Sequence, residues 1–344
     1  MNNSSRTDLS TLGEFGLINR IKSNTSLRNK ESIIGIGDDA AVLYKNENEY
    51  TLLSTDLLIE GIHFDLTYCP LVHLGYKAVI VNLSDIAAMN GIPQQITVSL
   101  AISNRFSVEA IDELYKGIEA ACKKYSVDLV GGDTTSSKTG LLISVTAVGT
   151  VSKQKLTLRK GAAENNIICV TGDLGAAYMG LQVLEREKQV FLANPDMQPE
   201  LFGKEYIIQR QLKPEARTDI IHEFLSLSLQ PTSMMDISDG LASEILHLCH
   251  ASDTGAIIYE EKLPIDPMTY ETAREFQLDA TTCVMNGGED YELVFTLPLS
   301  DYDKIKNHPS ITVVGYMTPK HEGVKLMSRG GNLYDIKAQG WKHF

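Results

Sequence analysis

The stretch Met234-Met235-Asp236-Ile237-Ser238-Asp239-Gly240-Leu241 passes from an apolar strand through an acidic turn into a helix. The strand pattern covers 234–237, and helical spacing of apolar residues then runs over 241–250. A strand that hands its end to a helix is the building unit of α/β proteins. The same succession occurs upstream, where a buried strand at 167–171 precedes a helix at 175–185. A helix at 215–227 and strands at 256–259, 291–296 and 311–314 complete a mixed sheet. Between them, 186–214 carries the turn signals Asn194-Pro195 and Gln198-Pro199 and reads as an irregular surface excursion.

The first half alternates in the same way. Leu12, Phe15, Ile18 and Ile21 recur at helical spacing, and 33–36, 41–44 and 50–54 read as short strands. Residues 71–89 form a helix with an apolar stripe, and Ile96, Val98 and Leu100 alternate as in a sheet with one solvated face. Ser107 is placed to cap a helix carrying Ile111, Leu114, Ile118 and Cys122, followed by strands at 128–130 and 141–151. The basic stretch 153–160 then separates an N-terminal domain, 1–152, from a C-terminal domain, 153–344.

With 344 residues the chain has room for two cores. Its 31 Lys+Arg against 44 Asp+Glu give a net charge of −13, which repels phosphate backbones and anionic lipid, so neither nucleic acid nor membrane is an expected partner. The opening Met1-Asn2-Asn3-Ser4-Ser5-Arg6 lacks the apolar stretch of a signal peptide. The longest apolar-looking run, 141–151, falls well short of the roughly 20 residues that a spanning helix requires. Cys69, Cys122, Cys169, Cys249 and Cys283 are scattered and form no C-x-x-C pair, which points to a reduced, cytoplasmic protein.

Carboxylates recur beside Gly, Ser or Thr at the predicted strand ends. The clusters are Gly37-Asp38-Asp39, Ser54-Thr55-Asp56, Asn82-Leu83-Ser84-Asp85, Gly131-Gly132-Asp133-Thr134-Thr135, Asp236-Ile237-Ser238-Asp239-Gly240 and Gly287-Gly288-Glu289-Asp290. Hard oxygens of this kind suit Mg²⁺ shared with substrate phosphates, and glycines let backbone N–H groups approach phosphate oxygens. Competing motifs fail. Gly35–Ala40 fits G-x-G-x-x-A, yet the polar run 46–49 leaves no room for the helix a dinucleotide fold demands. The chain has no Walker loop, EF-hand spacing, H-E-x-x-H or G-x-S-x-G. Many acids and no evident nucleophile point to phosphoryl transfer between two phosphate-bearing molecules, driven by positioning and charge neutralisation. Arg159 and Lys160, just before a predicted strand, are candidate phosphate contacts.

At these residues the sequence resembles the thiamine-monophosphate kinase family, of the superfamily that includes aminoimidazole ribonucleotide synthetase and selenophosphate synthetase. The pieces that carry the resemblance are Val81–Met89, Gly131–Thr135, Asp236–Leu241 and Gly287–Leu293, and it extends nearly end to end. It implies transfer of the ATP γ-phosphate to thiamine monophosphate, the thiamine diphosphate-forming reaction. It further implies a homodimer in which the strands of the N-terminal domain form a shared barrel beside a C-terminal α/β domain. By motif, Asp39, Ser54, Thr55, Asp56, Asp85, Asp133, Asp236 and Asp239 would hold Mg²⁺. Gly132, Asp133, Arg159 and Ser238 would meet ATP, while His63 and Glu289 would face the thiamine substrate. The aromatic residue that the family packs on the substrate ring does not align cleanly; Trp341 is the candidate and Tyr334 the reserve. Rival readings are another ATP-dependent member of the superfamily, a non-catalytic Mg²⁺–nucleotide module and a metal-dependent phosphohydrolase. The first cysteine, Cys69, lacks the Lys context of a selenophosphate synthetase, and the chain ends in Phe344 where a hydrogenase-maturation relative would end in Cys.

Overall fold

The computed structural model describes residues 8–339. The first half contains α1 (Gly13–Asn24), β1 (Ser32–Ile34), β2 (Ala41–Tyr44), β3 (Glu49–Ile59), α2 (Leu71–Ala88), β4 (Ile92–Ile102), α3 (Val108–Tyr125), β5 (Asp128–Ser136) and β6 (Leu142–Ser152). Its strands form one sheet in the order β1-β2-β3-β6-β4-β5, antiparallel except for the β4–β5 pair. That parallel pair needs a crossover, and α3 supplies it, begun by the Ser107 hydroxyl accepting from Ala110 N.

The second half runs β7 (Ile167–Thr171), α4 (Ala176–Ala193), α5 (Glu205–Leu212), α6 (Thr218–Ser226), β8 (Ser233–Asp236), α7 (Leu241–Ser252) and β9 (Thr254–Tyr259). It continues with α8 (Pro267–Glu275), α9 (Ala280–Asn286), β10 (Leu293–Leu297), α10 (Tyr302–Ile305), β11 (Ile311–Pro319), β12 (Val324–Met327) and β13 (Leu333–Asp335). The seven strands order as β13-β12-β9-β11-β7-β10-β8, with β12 and β9 parallel. This is the mixed sheet that the alternating pattern predicts.

Helix α2 joins the two halves. Fourteen of its eighteen residues are buried. Leu74, Ile80, Leu83 and Ile86 pack into the first core, while Ala87 and Ala88 lie against Ile220, Phe224 and Phe295 of the second. A helix buried on most sides has no reason to be amphipathic, and α2 is largely apolar apart from His73, Lys77, Asn82, Ser84 and Asp85. It is long and apolar enough to cross a membrane by length and composition, a feature the 141–151 run lacks, yet 78% of it is buried inside the protein. Its packing on α3 is close: a Cβ on Gly75 would lie 2.0 Å from Leu114 O, and one on Gly117 would lie 1.9 Å from Val72 O.

Two expectations change. The excursion at 186–214 is largely helical, because α4 continues to Ala193 before Asn194-Pro195 ends it, and α5 buries Ile207, Gln211 and Leu212. The acidic glycine cluster at 131–135 sits inside a strand, with Gly132 opposite Val98 and Asp133 opposite Ser99. A Cβ at Gly132 would fall 1.8 Å from Val98 O, so glycine here serves close strand pairing.

Candidate active site

Strand alternation sets Ser54, Thr55 and Asp56 on alternate faces of β3. Leu52 and Ser54 are buried and Asp56 is half-buried on the inner face of β3, whereas Leu53, Thr55 and Leu57 are exposed on the outer face. The Thr55 hydroxyl donates to Val145 O at 3.1 Å and pairs with Thr146 Oγ1, and the residue lines the cleft with Ser54 and Asp56. Helix α2 meets the inner face. Asn82 Oδ1 accepts from Asp56 N at 3.0 Å, and the Ser54 hydroxyl donates to Asp85 Oδ2. Asp85 lies within the helix, three residues before its end, rather than at a strand terminus.

From the other half, β8 ends on Asp236, whose Oδ2 accepts from the Ser84 hydroxyl at 2.6 Å. The loop before β2 brings in Asp39. Carboxylate oxygens of Asp39, Asp85 and Asp236 lie within 4.8 Å of one another. Such crowding is unfavourable for bare ions, and the proton affinities show it. Burial, then the neighbouring acids Asp56, Asp236 and Asp39, holds the Asp85 carboxyl well above its ordinary range. Burial and Asp39 push Asp236 up to about 7, and burial pushes Asp56 up to about 6. Asp39 Oδ2 is buried without a hydrogen-bond partner. A divalent cation answers all of these at once, by supplying the positive charge and the missing partner.

Arg159 fixes the Asp38-Asp39 loop. Its backbone N–H donates to Asp38 Oδ1 at 3.2 Å, and its Nη2 donates to Asp39 Oδ1 at 2.6 Å. Burial and Asp39 push Asp38 up to about 7. Burial opposes the Arg159 charge, but Asp39 outweighs it and raises the guanidinium above its ordinary value. The acids open into a cleft of about 1690 Å³ lined by residues of both halves. Its lining includes Arg159, Lys160, Ser238, Asp239 and the His247 ring, 4.2 Å from that of Phe15 on α1.

The lining also includes His63, Tyr178, Gln211 and Glu289. His63 follows β3, and its Nδ1 accepts from Ile59 N at 3.0 Å. Glu289 stands on a turn at φ +59°, flanked by Gly288 at +72° and Tyr291 at +52°. Backbone bonds lock this turn onto the β8–α7 loop: Glu289 N donates to Ser238 O at 2.7 Å, and Tyr291 N donates to Ile237 O at 2.9 Å. A Cβ on Gly288 would lie 2.5 Å from Ser238 O, which excludes other side chains. Beneath the turn, buried Asp290 accepts from Gly175 N at 2.8 Å, where α4 begins.

Gly132 and Asp133 do not line the cleft; both are exposed on β5, at the edge of the first sheet. Tyr334 is exposed on β13 and is also absent from the cleft wall, and Trp341 lies outside the described residues. Sequence reading missed Lys77 and Gln211, and it assigned no role to Ser84 within the Asn82–Asp85 cluster. A lone cation in an apolar helix was a usable signal for Lys77; for Gln211, inside the supposed excursion, there was none.

Residues 37–151 match the family described as AIR synthase related protein, N-terminal domain. The thiamine-monophosphate kinase of Bacillus subtilis is 33% identical over 97% of this chain and 100% of its own length. That of Aquifex aeolicus is 34% identical over 98% of this chain and 99% of its own. A solved structure described as AaThiL complexed with AMPPCP and TMP superposes with a TM-score of 0.83 at 32% identity, covering 99% of this chain and all of that one.

Proposed function

The chain belongs to the thiamine-monophosphate kinase family, and we propose that the cleft between its two halves is where it works. The reaction is ATP-dependent phosphorylation of thiamine monophosphate, yielding thiamine diphosphate and ADP. The convergence of Asp39, Asp85 and Asp236, from three separate segments, is the observation that carries the assignment of the site.

Mg²⁺ held by Asp39, Asp56, Asp85, Asp236 and Asp239, with Ser54 beside them, would neutralise the phosphates of both substrates. The protein's own groups do the rest. Ser54 and Ser84 aim the carboxylates of Asp85 and Asp236, and Arg159 holds Asp39 in place. Arg159 and Ser238 would meet ATP at one end, while His63 and Glu289 would meet the thiamine moiety at the other. The acceptor is a phosphate oxygen that is largely ionised at neutral pH, so attack needs no general base. The oxygen displaces ADP in line: a new P–O bond forms as the bond between the γ-phosphorus and its bridging oxygen breaks.

We also propose that two copies pair through the outer strands of their first sheets to form a shared barrel. All nine residues of edge strand β5 are exposed in the single chain, and Leu53, Leu57 and Val130 are exposed apolar residues on this sheet. Gly132 and Asp133 would take up their ATP and metal roles in that assembly. We place the domain division at 1–152 and 153–344, a reading supported by the two separate sheets. Five buried free cysteines support a reducing, cytoplasmic location.

Incubation with ATP, Mg²⁺ and thiamine monophosphate, followed by chromatography, is expected to yield thiamine diphosphate and ADP in equal amounts. Thiamine and an aminoimidazole precursor run as controls. Release of inorganic phosphate without thiamine diphosphate would overturn the assignment in favour of a phosphohydrolase.

A further inference from the structure

Lys77 sits in the middle of α2 with 4% of its side chain exposed. A buried ammonium is strongly unfavourable unless paired. Its Nζ donates to Glu289 Oε2 at 2.8 Å and to the Gln211 backbone O at 3.1 Å. The Gln211 side chain turns its Nε2 to the same carboxylate oxygen, at 2.6 Å. One oxygen of Glu289 thus takes two donors, one from α2 in the first half and one from α5 in the second.

The Gln211 amide carries an independent sign that this arrangement serves Glu289. Its Oε1 is buried and has no hydrogen-bond partner. A carboxylate only accepts, so the amide must present Nε2 to it, and its own acceptor is left unsatisfied in consequence. An amide retained for packing alone would be better replaced by an apolar side chain. Glu289 itself stands on backbone at φ +59° and is 28% exposed towards the cleft.

We propose that Lys77 and Gln211 form a two-donor clamp that holds the Glu289 carboxylate in one orientation against the thiamine substrate. The clamp rests on the reading of Glu289 as substrate-facing. Lys77 and Gln211 are positioning residues: they act through Glu289 and have no part at the phosphates. Pinning Oε2 from behind directs the rest of the carboxylate into the cleft, where a fixed negative charge suits the cationic thiazolium ring.

Steady-state kinetics of Lys77→Met, Gln211→Met, Glu289→Gln and the Lys77→Met/Glu289→Gln double variant test this. Circular dichroism confirms the fold of each. Glu289→Gln raises KM for thiamine monophosphate by about 10-fold or more. Lys77→Met and Gln211→Met each raise that KM by about 5- to 10-fold, while KM for ATP stays within about 2-fold. The double variant is no more than about 2-fold worse than Glu289→Gln, because the lysine has nothing left to position. Additive effects, or equal changes in both KM values, would overturn the clamp and leave a purely structural ion pair. A Glu289→Gln enzyme with unaltered kinetics would instead remove the substrate role of Glu289, and the clamp with it. If Lys77→Met fails to fold, Gln211→Met decides alone, since it keeps Lys77 and its backbone partner.

Discussion

The Ser84 hydroxyl donates to Asp236 at 2.6 Å across 152 positions of chain. Asp85, the next residue on the same helix, shares the acid cluster with Asp236. Helix α2 therefore supplies both a carboxylate and the donor that orients a carboxylate from the opposite half. The position of α2 between the two cores thus sets the geometry of the cluster.

Replacing Asp236 by Asn separates activity from stability. The substitution keeps the shape and removes one of several crowded buried charges. Turnover is expected to fall by about 10²–10³ for lost charge stabilisation. The Mg²⁺-free protein should melt at a higher temperature than the parent at pH 8, since repulsion is relieved. Initial rates and thermal melts check both, and a lower melting point with retained turnover contradicts the assignment.

The raised carboxyls give a pH dependence with a defined sign. Asp38 and Asp236 are pushed up to about 7 and Asp56 to about 6, all chiefly by burial. Unfolded, these groups ionise near 3.9, so between about pH 4 and 7 the folded chain binds more protons than the unfolded one. Their contribution therefore lowers stability as pH rises through that window. Burial and then Arg159 push His247 down to about 4, which acts in the opposite direction. It cancels in the difference between Mg²⁺-loaded and Mg²⁺-free samples. The rise in melting temperature on adding Mg²⁺ should be larger at pH 8 than at pH 5. A rise independent of pH would show that these acids do not take the ion.

Arg159→Met leaves the Asp39 carboxylate, with 1% of its side chain exposed, without its partner. Breaking a pair this buried is expected to destabilise the protein by about 3 kcal/mol and to raise KM for ATP. Arg159→Met/Asp39→Asn should regain stability without regaining activity. Denaturant titration with parallel kinetics separates the two, and full recovery of activity in the double variant argues against a ligand role for Asp39.

Val130 is 62% exposed on edge strand β5. Val130→Lys should shift the protein from dimer to monomer in size-exclusion chromatography with light scattering, by charging an edge proposed to pair. An unchanged dimer would move the interface elsewhere.

Alternating strand and helix patterns, the Ser107 cap, the apolar character of α2 and the acid-rich motifs are local properties of the chain, and the sequence displayed them. Convergence is not local. Asp39, Asp85 and Asp236 come together because α2 packs between two sheets, an outcome of burying apolar surface across both halves. The half-turn between successive strand residues directs Ser54 inward and Thr55 outward, and only the sheet shows which face is inward. Asp133 was read from its motif as a companion of the other acids, yet strand order leaves it on an exposed edge. The turn signal at Asn194-Pro195 was legible, but the continuation of α4 to Ala193 and the burial of α5, which brings Gln211 to Glu289, follow from tertiary packing. Sequence thus determined which chemistry the chain carries, and the fold decided which side chains perform it, because proximity depends on packing between segments that share no local pattern.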